Sequence, residues 1–311
     1  LSRTLLTIQG DDYPATRALA GLHGDFRFAY TPRPLMEAMQ TVLACEPFQA
    51  SEFSLSYTIQ MIDQGKDWIT PVPVFPLRAF RHTAAYVRKD SDLAGPAGLD
   101  GKRIGIPDYS MTGAVWLRGI WRDMFGLDWS SLKWHLRPAQ RIAVPPGIDV
   151  TYCEGDPEDM LINGDLDILV GLPSPRDASS PQAERLLRPL FPDIAAAQMD
   201  YLSRTGYYPI AHTVVLHSDM VAANPGAARA VFDAYSASKR AAYDSIDDQP
   251  VAPWPDFLSR TGGDPMIFGL TDTNRAIVET LARYVFEQKL TSRLIAVDEI
   301  FTGGWQIWRE D

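Results

Sequence analysis

Residues 77–82 read LRAFRH, placing Arg78, Arg81 and His82 within five positions with no acid among them, in a chain that is otherwise acidic. Arginine carries a planar fork that meets a carboxylate through two parallel hydrogen bonds, and it keeps its charge at any ordinary pH. The segment therefore reads as a local anion site, with Arg78 and Arg81 as clamps and His82 as a proton donor. The plainer roles are pairing with surface acids for the arginines, and a satisfied structural position for the histidine.

A second histidine of interest, His212, lies in IAHTVVLH. His217 follows five residues later, so in a strand the two rings point to opposite faces and make no metal pair. Residues 50–57, ASEFSLSY, put Ser51, Glu52 and Ser54 where a strand passes into a helix, the edge at which open α/β sheets hold ligands. Glu52 there orients a histidine or accepts a substrate hydroxyl, or is simply a first-turn acid favoured by the helix dipole. Gly10, Asp11, Asp12 and Tyr13 follow the first strand in the same way, which makes Asp12 a further binding candidate, with Arg17 one turn on. His23 and His135 have no acidic or cysteine neighbours at useful spacing and read as structural.

The best-defined helix follows Tyr109: Ala114, Leu117, Ile120, Trp121, Met124 and Phe125 recur at helical spacing, and Gly126 supplies a left-handed stop. Its first turn holds Ser110, Met111 and Thr112, where unpaired N–H groups and the positive end of the dipole favour an anion. Simple capping by Ser110 or Thr112 is the competing role. The chain lacks GxGxxG, a Walker loop, GxSxG and HExxH. Its two cysteines, Cys45 and Cys153, form no CxxC pair or zinc-spaced cluster, so no zinc site is indicated and no cofactor is expected, the alternative being a divalent cation gathered by His82, His212 and scattered acids.

These residues need a scaffold, and the texture of the chain supplies one. Short apolar strands alternate with amphipathic helices, predicting an α/β protein with mostly parallel sheets. Strands are expected at 4–8, 26–30, 48–50, 69–74, 83–88, 103–106, 150–152, 167–170 and 210–216. Asn224 and Pro225 predict the start of a long helix running to about Tyr243, and Asp156, Pro157 and Gly164 bracket a two-turn helix. Proline-rich breaks fall at 71–76, 173–181 and 250–255. Crossings near the first break and near TGYYPIAH (205–212) predict a discontinuous lobe of residues 1–84 and 210–311, a second lobe of 85–209, and a ligand cleft between them.

Composition bounds the function. The 311 residues include 29 Lys and Arg against 39 Asp and Glu, a formal charge of −10, which argues against a generic nucleic-acid binder. With 46% hydrophobic and 22% charged residues the chain can bury a sizeable core, and its length favours two lobes. No apolar run reaches the roughly 20 residues needed to cross a bilayer, and no signal-peptide pattern opens the chain. The expectation is a cytoplasmic protein without a membrane partner, with a homodimer as the commonest assembly.

The runs SEFSLS (51–56), PVFPLRAFRH (73–82), GKRIGIPDYSMTGAVWLRGI (101–120), GDLDILV (164–170), TGYYPIAHTVV (205–215) and NRAIVETLARYVFEQKLT (274–291) resemble the 4,5-dihydroxyphthalate decarboxylase family over nearly the whole chain. The resemblance implies a type II periplasmic-binding-protein-like fold. It also implies a lyase that removes one carboxylate from a hydroxylated aromatic diacid, giving protocatechuate in the named case, as in phthalate degradation and aromatic catabolism. Such a reaction requires a general acid over the ring, a group that polarises a hydroxyl, and cationic clamps. His82 is the first choice for the acid and His212 the second; Arg78, Arg81 and the Ser110–Thr112 turn seat the carboxylates, and Tyr109 and Trp116 flank the ring. The family's first loop reads roughly GDYDHTR where this chain has GDDYPATR, with Ala15 at the histidine position, which leaves the substrate's hydroxyl pattern and ring system open between 4,5-dihydroxyphthalate and a relative of it. The competing expectation is a solute-binding protein of an ABC importer, which uses the same fold to capture an organic anion.

Overall fold

A computed structural model describes residues 3–171, 179, 181, 185–244, 263–304, 308 and 310. The expected proline-rich break at 250–255, most of the one at 173–181, and the side chain of His23 lie outside the described residues. The chain forms two compact units: Leu1–Arg78, Ile210–Arg283 and Thr291–Asp311 make the first, and Ala79–Pro209 with Tyr284–Leu290 make the second.

Among the described residues, unit 1 contains β1 (Thr4–Gly10), β2 (Gly21–His23), β3 (Phe26–Pro32), β4 (Ala50–Ser54) and β5 (Ile69–Val72). Unit 2 contains β6 (Ala85–Arg88), β7 (Arg103–Ile106), β8 (Lys133–Leu136), β9 (Val150–Tyr152), β10 (Ile168–Val170) and β11 (Leu187–Pro189), and β12 (His212–His217) returns to unit 1. The sheet of unit 1 runs β2-β3-β1-β4-β12-β5, and that of unit 2 runs β11-β6-β10-β7-β8-β9.

The α/β class is as expected, and both sheets are mixed: among the described strands parallel pairings are the majority in unit 2, where β8 is also parallel to β9, but not in unit 1. In unit 1, β1 is parallel to β3 and β4, whereas β12 is antiparallel to both β4 and β5. In unit 2, β7 is parallel to β8 and β10, whereas β6 is antiparallel to β10 and β11. The cause is connectivity: β12 comes back from a long excursion and enters the sheet from the opposite end, a direction that strand composition does not encode.

Helix punctuation was readable where caps are local. The helix that carries Ser110 and Thr112 spans Thr112–Phe125 and stops at Gly126, whose φ of 70° is left-handed. The short helix Pro157–Asn163 starts with the Asp156 side chain accepting from Glu158 N and ends on left-handed Gly164. The long helix expected from Asn224 starts later, at Ala227, and ends at Asp244. Asn224 instead closes a short helix, Ser218–Ala223, with its side-chain amide donating to the Met220 carbonyl.

Two further boundaries differ. The strand expected at 48–50 is β4, at Ala50–Ser54, and every residue in it is buried, including Ser51 and Glu52. Polar side chains hid a central strand flanked by β1 and β12. The stretch expected as a strand at 83–88 begins as a 3₁₀ turn, Arg81–Ala84, before β6.

Unit 2 also encloses a complete charge. Arg118 is fully buried, with Nε donating to Gln288 Oε1 at 2.6 Å and Nη2 to the Tyr109 carbonyl at 2.6 Å. Its guanidinium carbon lies 4.0 Å from the Tyr109 ring centroid, and burial lowers its pKa from the ordinary value. One position along the helix, a Cβ on Gly119 would fall 2.2 Å from the Tyr284 ring, so only glycine fits.

Candidate functional site

Unit 1 builds its candidate centre on β4 and β12. Glu52 pairs with Val214 and Ser54 with His212, so Glu52 and His212 are diagonal neighbours on one face of adjacent strands. Their side chains meet, with His212 Nδ1 2.6 Å from Glu52 Oε1. Glu52 is completely buried and His212 is 9% exposed. A carboxylate here accepts from Nδ1–H, which leaves Nε2 as the ring nitrogen not engaged by Glu52.

The loop after β1 closes on the same carboxylate. Tyr13 Oη donates to Glu52 Oε1 at 2.9 Å, and the Asp11 backbone N–H donates to Oε2 at 3.1 Å. Tyr30 Oη donates to the Asp11 carbonyl at 2.6 Å. Burial and the neighbouring Glu52 push the Tyr13 phenol far above its ordinary pKa, so it stays protonated and can serve as a donor. The backbone approaches closely at Gly10, where a Cβ would lie 2.8 Å from Tyr30 Oη and 3.0 Å from Glu52 Oε2.

The other unit 1 candidates are occupied by the scaffold. Ser51 Oγ donates to the Glu52 carbonyl at 2.9 Å, and Ser54 caps the helix Leu55–Asp63 by accepting from Tyr57 N. Arg78 is buried, and its Nη2 donates at 2.8 Å to both the Ile267 carbonyl and Asn274 Oδ1. Asp12 is on the surface, 3.1 Å from Arg17 Nε.

Unit 2 carries the remaining candidates. Arg81 lies against the first turn of the Thr112–Phe125 helix, where a Cβ on Gly113 would be 3.3 Å from Arg81 Nη1. Met111 is the N-cap and provides no side-chain cap. Ser110 and Thr112 are buried at this turn, and the Ser110 N–H donates to Asp108 Oδ1 at 2.9 Å. Tyr109 and Trp116 are fully buried; Trp116 packs edge-on against Tyr284 at 5.5 Å.

His82 is 2% exposed and sits among the rings of Phe191 at 5.2 Å, Tyr201 at 5.8 Å and Phe80 at 6.4 Å. Its Nδ1 is buried without a hydrogen-bond partner. Burial lowers its pKa from 6.5 to about 4, with Asp200 opposing the shift, so the ring is neutral at neutral pH.

The structure thus brings Glu52 and His212 together on unit 1, and Arg81 beside the Ser110–Thr112 turn on unit 2. Tyr13 joins the site without being among the candidates that the sequence singles out. Its signal was present in the strand-then-GDDY order, but its contact with Glu52 spans 39 positions. Among the described residues, no group of three or more His, Cys, Asp and Glu side chains could hold a metal ion, and no helix is long and apolar enough to cross a membrane.

No family model matches the chain. A 4,5-dihydroxyphthalate decarboxylase of Comamonas testosteroni is 31% identical over 214 residues, covering 65% of this chain and 63% of the relative. One from Pseudomonas putida is 36% identical over 140 residues, covering 41% of this chain and 54% of the relative. The matched region is therefore less than two thirds of either relative's length, and shorter than the nearly full-length resemblance expected from the motifs.

Among solved structures, the periplasmic aliphatic sulphonate binding protein SsuA from Escherichia coli matches with a TM-score of 0.58 at 15% identity, over 98% of both chains. The alkanesulfonate-binding SsuA from Xanthomonas axonopodis pv. citri bound to MOPS gives 0.55 at 14%, over 96% of this chain and 98% of that one. A DSZB mutant in complex with biphenyl-2-sulfinic acid gives 0.51 at 16%, over 98% of both. At these identities the likeness establishes the fold alone. The chain is a distant homologue of 4,5-dihydroxyphthalate decarboxylase, with the fold of the type II periplasmic binding proteins.

Proposed function

We propose that the protein is a decarboxylase acting on a hydroxylated aromatic acid, with His212 as the proton-transfer group and Glu52 as its partner. The observation that carries this reading is the buried 2.6 Å contact between the two, in a chain distantly homologous to decarboxylases of this class. Loss of CO₂ from an aryl carboxylate would leave an anion trapped in the ring plane. The ring carbon must therefore be protonated first, with electrons supplied by a para hydroxyl.

In this reading His212 Nε2 gives its proton to the carboxylated carbon. The C–CO₂ bond then breaks, its electron pair restores the aromatic ring, and CO₂ leaves with one proton in its place. Solvent returns a proton to the imidazole. Glu52 stabilises the imidazolium and fixes the ring orientation, the role a buried carboxylate plays beside a catalytic histidine. Arg81 and the Ser110–Thr112 turn serve as anion seats on unit 2.

His82, ranked first from the sequence, is less suited to the acid role, because its aromatic surroundings keep it neutral until about pH 4. The free cysteines Cys45 and Cys153 are compatible with the cytoplasm, which is the compartment of this proposal.

The test is incubation with 4,5-dihydroxyphthalate and a panel of hydroxylated benzene mono- and dicarboxylates, following CO₂ and product with and without chelator. Turnover of any member supports the reading and identifies the ring pattern. Tight binding without product replaces it with a solute-receptor function.

A further inference from the structure

We propose that Tyr13 is a positioning residue that sets the strength of the Glu52–His212 hydrogen bond. The catalytic half of this inference rests on the decarboxylase reading above; the link between the three side chains does not. Glu52 Oε1 takes two donors, His212 Nδ1 at 2.6 Å and Tyr13 Oη at 2.9 Å, while Oε2 takes the Asp11 N–H at 3.1 Å. A carboxylate oxygen has lone pairs for both donors, but each draws on the same charge. The phenol therefore weakens the pull of Oε1 on the imidazole N–H and prevents the carboxylate from rotating away from it.

The loop that delivers Tyr13 is itself tied down. Thr16 Oγ1 accepts from Tyr13 N at 3.1 Å and contacts the Asp11 carbonyl at 3.1 Å. The other ionisable groups facing this carboxylate leave Tyr13 as its one side-chain donor besides His212 among the described residues. Tyr30 on β3 donates to the Asp11 carbonyl, and Tyr235 on the helix Ala227–Asp244 is buried with its hydroxyl lacking a hydrogen-bond partner. Burial pushes both of these phenols above their ordinary range. Asp12 directs its carboxylate to Arg17.

The experiment is proton NMR of the His212 Nδ1–H resonance, assigned by its loss in His212→Gln. It compares the wild type, Tyr13→Phe, Glu52→Gln and the double variant. In Tyr13→Phe the resonance moves downfield, because Oε1 is left to the imidazole alone, and in the Glu52→Gln background the same change moves nothing. An unmoved resonance in Tyr13→Phe overturns the inference, as does a movement that persists without the carboxylate. With a substrate in hand, Tyr13→Phe lowers kcat about tenfold and leaves KM within twofold. A change confined to KM overturns the positioning role. The resonance is read without substrate, so an inactive protein whose resonance moves removes the reaction assignment and keeps the link.

Discussion

Glu52 Oε1 and His212 Nδ1 stand 2.6 Å apart although 160 residues separate them in the chain. Their junction depends on register: β12 pairs with β4 so that both side chains leave the same face of the sheet, two positions out of step. A slip by one residue would send His212 to the other face.

The dyad gives the first prediction. His212→Gln lowers kcat by about 10² to 10⁴ while leaving substrate binding measurable, and Glu52→Gln lowers it by about 10² or more. Steady-state CO₂ release, with circular dichroism as the folding control, checks both. Unchanged turnover in His212→Gln would move the proton transfer elsewhere.

The two arginines of LRAFRH should separate cleanly. Arg81→Ala raises the dissociation constant for an aromatic acid at least tenfold with little loss of stability. Arg78→Ala costs about 2 to 4 kcal/mol in denaturant unfolding, because its buried guanidinium joins the Ile267 carbonyl and Asn274. Calorimetric binding and urea titration of the two variants distinguish clamp from strut.

His82 makes stability depend on pH in a defined direction. Its folded pKa of about 4 lies below the ordinary 6.5, so the unfolded chain takes up a proton that the aromatic surroundings refuse. Stability is therefore retained above about pH 6.5 and falls as the pH drops toward 4, by on the order of 3 kcal/mol in total. Urea midpoints between pH 7 and 5 should decline in the wild type and decline less in His82→Phe. Parallel slopes would mean that other groups carry the effect.

Gly10→Ala should damage the site while sparing the fold. The added methyl lies within 3.0 Å of both Tyr30 Oη and Glu52 Oε2, so the carboxylate must shift. The expected result is a loss of kcat larger than the change in unfolding free energy accounts for, measured by kinetics and urea unfolding on the same sample.

Local chemistry was legible in the sequence, and long-range pairing was not. Gly126 and Gly164 announce their helix ends because a left-handed cap is a property of a few consecutive residues. Ser51, Glu52 and Ser54 concealed β4, because burial on both sides of a central strand overrides their polarity. Glu52 and His212 could each be named by residue type, but their contact requires the antiparallel entry of β12, which no local pattern specifies. Asn224 followed by Pro225 predicts a helix start, and in the structure Asn224 closes the helix before it, an ambiguity inherent in a residue that suits both kinds of cap.

The two units are interleaved along the chain, and this bears on how the protein is made. During synthesis unit 1 gains β12 only after Pro209 has been passed, and Gln288, the partner of the buried Arg118, emerges later still. A nascent chain must therefore hold Arg118 without that acceptor for about 170 residues of translation, roughly ten to thirty seconds at about 5–20 residues per second. Neither unit can be excised as one continuous fragment with its hydrogen bonding complete.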